Sequence, residues 1–148
     1  MISFDTSILV YAATEGTDER HLKAAGLIER AIRSQRCIQT LQSLAEFYNA
    51  TTRKAGIAPS RAAAFVAGWQ RVIPVAAAEY LDLEHAIRAM GEHGLSFWDA
   101  MLWATARRGG AEVLVSEDFQ DGRSIEGVRI ANPFVADGFA VIDAALHA

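Results

Sequence analysis

A single cysteine, Cys37, stands in the 148 residues. The chain can therefore form no internal disulfide and no zinc site built from several thiolates. No apolar run approaches the ~20 residues a membrane helix needs. The opening Met1-Ile2-Ser3-Phe4-Asp5 lacks the basic start and long apolar run of a signal peptide. A cytoplasmic protein with no membrane partner is the reading these absences favour. His21, His85, His93 and His147 fall into no metal-binding spacing. Positive charge is short too: the net charge is −4, and of 14 basic residues only Lys23 and Lys54 are lysines. A module that binds nucleic acid mainly by neutralising phosphates is usually basic, so that class is disfavoured. An enzyme whose acidic cluster holds a divalent cation is not, because the ion reverses the local sign.

What is present is an ordinary globular composition, 51% hydrophobic and 22% charged, without repeats or low-complexity tracts. The length predicts one domain spanning 1–148. Met1 to Phe4 reads as a strand ending on Asp5, and Thr6 to Ala13 as a short helix with Leu9, Val10 and Ala13 inward. Asp18 caps a helix to about Arg36, where Leu22, Ala25, Ile28 and Ile32 recur at helical spacing. Cys37 to Thr40 is a strand, Ser43 to Ala55 a helix closed by Gly56, and Pro59 opens another with Phe65, Val66 and Trp69 on its apolar side. Val72 to Val75, interrupted by Pro74, fits a strand at a sheet edge. Helices follow over Ala77 to His93 and Ser96 to Arg108, then a strand over Glu112 to Ser116 carrying Val113-Leu114-Val115, another at Val128 to Ala131, and a partly helical tail from Phe134. Strands separated by helices predict an α/β fold with a largely parallel central sheet flanked by helices. Such a sheet places its site at the carboxyl ends of its strands.

Acidic residues recur where strands stop or helices start: Asp5, Glu46, Asp99 and Asp118. Each has a local explanation. Ser43 through Glu46 and Ser96 through Asp99 match capping boxes, and Asp5 and Asp118 suit a helix cap and a turn. Together they suggest something else, because acids after separate strands converge on one crevice. Two carboxylates ~4 Å apart repel by about 4 kcal/mol at an effective dielectric near 20, so a cluster of four calls for a cation. All-oxygen ligands select Mg²⁺ or Mn²⁺ over zinc, a combination suited to phosphodiester hydrolysis.

These segments resemble the PIN-domain family. Ile2 through Tyr11 is similar to the family's opening, where an aspartate ends the first strand. Leu44-Ala45-Glu46-Phe47-Tyr48-Asn49 is similar to its glutamate-bearing helix, and Leu95-Ser96-Phe97-Trp98-Asp99-Ala100 to its third acidic motif. Val113 through Phe119 resembles the fourth, in which a Ser or Thr precedes the acid by two, and Val128 through Phe134 resembles the end of one branch. The likeness runs from Met1 to about Phe134 and is nearest to the VapC toxins of toxin–antitoxin pairs. It implies a PIN-like three-layer fold and a Mg²⁺- or Mn²⁺-dependent endoribonuclease with Asp5, Glu46, Asp99 and Asp118 as the acidic quartet. Asp5 and Asp99 are then direct metal ligands, with Glu46 and Asp118 acting directly or through water. Ser116 would hydrogen-bond a carboxylate or a water in the ion's shell, and Thr6 would do similar supporting work. Glu117 and Asp121 compete with Asp118 for the fourth place; the offset from Ser116 favours Asp118. The implied reaction uses no protein nucleophile and leaves a 5′-phosphate and a 3′-hydroxyl. The resemblance also implies an RNA substrate, a cognate antitoxin, and a homodimer or a hetero-oligomer with that antitoxin.

Other residues carry weaker expectations. Trp69, Trp98 and Trp103 fill the core, with Trp98 alternatively bordering a substrate groove. Glu84 and His85 are surface groups, and Cys37 is a buried strand residue. Arg53, Lys54, Arg107, Arg108 and above all Arg123 are candidate phosphate contacts, against a solvated surface as the default. Two other functions compete. An aspartyl phosphatase would need a second acid two residues after Asp5, where Ser7 stands, and a lysine that Lys23 and Lys54 are poorly placed to supply. A catalytically silent PIN-like binding module would carry an incomplete quartet.

Overall fold

The computed structural model describes residues 1–54 and 56–148. The chain runs β1 (Ile2–Phe4), α1 (Thr6–Ala13), α2 (Glu19–Ser34), β2 (Gln39–Thr40), α3 (Leu41–Arg53), α4 (Pro59–Val72), β3 (Val75–Ala76), α5 (Tyr80–His93), α6 (Phe97–Arg108), β4 (Val113–Val115), β5 (Ser124–Ile125), β6 (Val128–Ala131) and α7 (Ala136–His147). Four strands form a sheet in the order β1-β4-β6-β5, parallel except for the β5–β6 hairpin. The parallel pair β2–β3 continues it beyond β1: Ile2 bridges to Cys37, and the Ile38 amide donates to the Ile2 carbonyl at 3.0 Å.

The pleat sorts the core into two layers. Ile2, Phe4, Val113, Val115 and Ala131 face one cluster, which α1, α2, α3, α4 and α7 cover with side chains such as Leu9, Leu27, Phe47, Trp69 and Ile142. Leu114, Val128 and Ile130 face the other way, against Ala86 and Ala89 of α5 and Leu102 and Trp103 of α6. Alternate residues of a strand point to opposite faces, and both faces here meet helices. That is why β1 and β4 are buried at every position. The result is the expected three-layer α/β arrangement.

Several boundaries differ from the sequence expectation for identifiable reasons. Thr40, not Ser43, caps α3: its hydroxyl accepts from the Ser43 amide at 3.1 Å, while the Ser43 hydroxyl is tied to the Thr40 carbonyl at 3.0 Å. The helix thus begins at Leu41, and Glu46 is in its second turn, away from any capping box. The expected end of that helix at Ala55 lies outside the described residues. Val72 ends α4 instead of opening a strand, and pairing starts after Pro74, which has no amide to donate. α5 starts at Tyr80, three residues later than Ala77, with Glu79 as its cap and Asp82 accepting from the Glu79 amide at 2.9 Å. The hairpin strand β5 was not foreseen. It is joined to β6 by Glu126 and Gly127, both at positive φ (47° and 89°), the conformation a tight hairpin turn demands.

On the helix faces, α2 buries Ala24, Leu27, Ile28 and Ala31, one step round from the expected stripe, and Leu22 is 59% exposed. Val10 of α1 is half-buried. Trp69 and Trp103 are core residues, but Trp98 is 62% exposed.

Candidate active site

Because β1 and β4 are parallel neighbours, their carboxyl ends lie side by side. Phe4 pairs with Val115, and the Asp5 amide donates to the Val115 carbonyl at 2.9 Å. Asp5 caps α1, its Oδ1 accepting from the Thr6 amide at 2.7 Å. Its Oδ2 accepts from the Ser116 hydroxyl at 2.6 Å, and that hydroxyl oxygen accepts from the Asp118 amide at 3.1 Å. Ser116 therefore links the loop after β4 to the carboxylate after β1.

α3 brings Glu46 to the same place. The Thr6 hydroxyl donates to one Glu46 oxygen at 2.9 Å, and Gln42, one turn before Glu46, donates to the other at 2.8 Å. The same Gln42 amide group donates to the Trp98 carbonyl at 3.0 Å, which joins α3 to the start of α6. There Ser96 caps α6 through the Asp99 amide at 3.4 Å. No hydrogen bond returns from the Asp99 carboxylate to the Ser96 amide among the described residues, so the second half of the box is not formed.

Asp5, Glu46, Asp99 and Asp118 line one cleft of about 440 Å³, with Thr6, Ser7, Val10 and Tyr11 among its other walls. No lysine or arginine is among the lining residues. Asp5 is 6% exposed. Burial pushes its carboxyl up from 3.8 to about 6; the hydrogen bonds from Ser116 and Thr6 oppose the rise, and the charges of Asp118 and Asp99 add to it. Asp118 is also raised, by burial first and by Glu117 next. These are acids held in a place that disfavours their own charge, which is the condition a cation would relieve.

The other fourth-acid candidates point elsewhere. Glu117 accepts from Tyr11 Oη at 2.5 Å and is ion-paired with Arg20. Asp121 accepts from the Asn132 amide at 2.7 Å. Neither lines the cleft.

The donor set fits a hard divalent cation: every side-chain donor in the quartet is a carboxylate oxygen, and Thr6 and Ser7 add hydroxyl oxygens to the same walls. Among the described residues, the group of three with ligand atoms all within 4.8 Å of one another is a different one, Glu92, His93 and Glu126. Arg88 already pairs with both of those glutamates, at 2.7 and 2.6 Å. The quartet is more open, which suits an ion that keeps part of its water shell.

The basic candidates have structural partners instead. Arg123 donates to the His93 carbonyl at the end of α5. Arg107 donates to the Glu126 carbonyl at 3.1 Å, and Arg108 pairs with the fully buried Asp82 at 2.9 Å. Arg53 and Lys54 are exposed at the end of α3. Cys37 is buried, and burial pushes its thiol up to about 11, so it is no nucleophile. Tyr11 and Gln42 were missed by sequence reading. An i, i+4 count back from Glu46 could have found Gln42, whereas Tyr11, six residues and so about 120° round a helix from Asp5, carries no such signal.

The family profile of the PIN domain matches residues 2–120. The chain belongs to the PIN-domain family. Solved structures with the same fold include Mycobacterium tuberculosis VapC20, described as a sarcin–ricin loop cleaving toxin, at TM-score 0.60 and 23% identity over 77% of this chain and 87% of that one. A toxin–antitoxin complex from Klebsiella pneumoniae matches at TM-score 0.65 and 18% identity, over 90% and 98%. The PAE2754 protein of Pyrobaculum aerophilum matches at TM-score 0.64 and 19% identity, over 99% and 96%. At these identities the likeness is one of fold. Comparison with curated protein sequences finds no match. No helix of the described PIN domain is long and apolar enough to cross a membrane.

Proposed function

We propose that this PIN domain is a Mg²⁺- or Mn²⁺-dependent endoribonuclease and the toxin of a type II toxin–antitoxin pair. The observation that carries the reading is the single cleft lined by Asp5, Glu46, Asp99 and Asp118, with no basic side chain on its walls. Asp5 and Asp99 would hold the ion, with Glu46 and Asp118 completing the site directly or through water. When bound, a divalent cation supplies charge stabilisation at the phosphate and a more acidic water. Ser116 and Thr6 fix the Asp5 carboxylate, and Thr6 and Gln42 fix Glu46, so both acids are oriented before substrate arrives.

The phosphatase reading has less support, because Ser7 stands where the second acid would be and neither Lys23 nor Lys54 lines the cleft. A silent binding module has no need of four acids on one cleft. The antitoxin is proposed from the kinds of proteins that share the fold. It would cover the cleft and offer a basic side chain to the acids, and the chain would self-associate or assemble with it.

The deciding experiment incubates the purified chain with single-stranded RNA in Mg²⁺, in Mn²⁺ and in excess EDTA, beside Asp5→Ala. Cleavage with metal only, 5′-phosphate products, and loss in the variant are expected. Cleavage that persists in EDTA, or hydrolysis of a phosphomonoester with no RNA cut, would overturn the reading. Growth arrest on expression, relieved by a protein encoded beside it, is expected for the toxin role; no effect on growth from an active nuclease would point to housekeeping RNA processing.

A further inference from the structure

The acidic cleft poses a problem for a polyanionic strand: its walls repel phosphates, and an ion would neutralise only its centre. A cation joined to those walls is Arg20, in the first turn of α2. Arg20 Nη1 donates to Tyr11 Oη at 3.2 Å and pairs with Glu117, and Tyr11 itself lines the cleft. The guanidinium also lies over the Phe134 ring at 4.6 Å and the Tyr11 ring at 5.3 Å. The two rings meet edge to face with centroids 5.3 Å apart. One nitrogen of the guanidinium, Nη1, is thus committed, and the group packs on two rings. Nε and Nη2 make no hydrogen bond among the described residues, and the side chain is 47% exposed. Those two N–H edges form the fork that meets a phosphate with two parallel hydrogen bonds.

The geometry points to Arg20 as a substrate-binding residue at the mouth of the cleft, its Nε/Nη2 edge taking a phosphate of the strand beside the one that is cut. This rests on the nuclease reading above. Glu117 and Tyr11 hold the guanidinium in place, so little side-chain entropy is lost when the phosphate arrives. Glu117 spends its charge on Arg20 and is thereby kept out of the metal site.

The test measures binding of a fluorescein-labelled single-stranded RNA by anisotropy in Ca²⁺, at several salt concentrations, and steady-state cleavage in Mg²⁺. The proteins are wild type, Arg20→Met, Arg20→Lys, Glu117→Gln and the double variant Arg20→Met/Glu117→Gln. Removing Arg20 also frees the Glu117 charge, so the double variant decides. It should bind RNA at least ~10-fold more weakly than wild type, as loss of a charge-assisted hydrogen bond implies, with the loss in KM more than in kcat. The slope of log K against log salt should fall by about 0.7, one single-strand phosphate contact. Arg20→Lys should lie between, and Glu117→Gln supplies the reference against which the double variant's loss of Arg20 is read. Wild-type affinity and salt slope in the double variant would mean that Arg20 only cancels Glu117, and the inference falls while the nuclease reading stands. If the wild type neither binds nor cuts RNA, the nuclease reading fails and takes the inference with it.

Discussion

Ser116 donates to Asp5 at 2.6 Å across the ends of two parallel strands, joining positions 111 residues apart in sequence. The bond favours the charged carboxylate and opposes the effect of burial. Ser116→Ala should therefore raise the Asp5 carboxyl further and move the acid limb of the cleavage pH profile upward. Losses of supporting hydrogen bonds of this kind typically cost 10–100-fold in activity or metal affinity. Ser116→Thr keeps the hydroxyl and should retain most activity. An unshifted pH profile in the alanine variant would refute the role.

Asp5 also makes metal-free stability depend on pH. Its folded value of about 6 lies above the ordinary 3.8. The fold therefore prefers the protonated acid. This contribution is fully present below about 3.8 and is lost as pH rises through about 6. The rise corresponds to roughly 3 kcal/mol as an upper order of magnitude. In EDTA, Asp5→Asn should melt higher than wild type at pH 7.5, and the advantage should shrink towards pH 4. Parallel melting curves at both pH values would contradict this.

Asp99 separates a ligand from a cap. Its amide is held by Ser96, but its carboxylate makes no return bond to the helix start. Asp99→Asn should leave the metal-free protein at least as stable as wild type. A purely capping acid would instead cost roughly 0.3–1 kcal/mol when neutralised. Mg²⁺ should raise the wild-type Tm, by up to about 2.7 kcal/mol of stabilisation at a hundredfold excess over Kd, and affect the variant much less. Equal metal responses would remove Asp99 from the ligand set.

Two helical glycines should respond in opposite directions to alanine. A Cβ on Gly138 would sit 2.1 Å from the Asn132 carbonyl oxygen and 2.7 Å from its amide nitrogen. Backbone cannot yield there without moving α7 off β6, so Gly138→Ala should cost on the order of 1–3 kcal/mol or more. Gly91, inside α5, has nothing within 4 Å of that position. Gly91→Ala should stabilise by about 0.5–1 kcal/mol through helix propensity and reduced unfolded-state freedom. Chemical denaturation of both variants checks the pair.

What the sequence made legible follows a physical divide. The span of α1 over Thr6–Ala13 and the cap roles of Asp18 and Ser96 rest on local chemistry and stand where it puts them, as does the strand read over Glu112 to Ser116, whose paired core is Val113–Val115. Thr40 and Ser43 are both capping residues three positions apart, and only the bond made between them decides which one starts α3. Leu22 and Trp98 look like core residues in composition, but their exposure depends on which face of a helix meets its neighbours. The strand β5 is two residues long and exists through its pairing with β6. At the cleft, Asp5 and Asp118 could be read from strand ends and Asp99 from a helix start, while Glu46 lies a turn deeper in its helix than expected. The contacts that brace the cleft could not be read, because Tyr11 and Arg20 meet Glu117, and Gln42 meets the Trp98 carbonyl, across elements far apart in sequence.

The placement of β1 has a consequence for how the protein comes into being. Its first strand waits for β4, which is made more than a hundred residues later, and the loop carrying Asp118 follows that strand. A nascent chain that has not yet delivered residues 113–118 from the ribosome has no partner for β1 along that edge and no completed cleft. Such distant pairings also fold slowly. Whatever chemistry the four acids carry is therefore withheld during most of the chain's synthesis and begins only when the last of them is delivered.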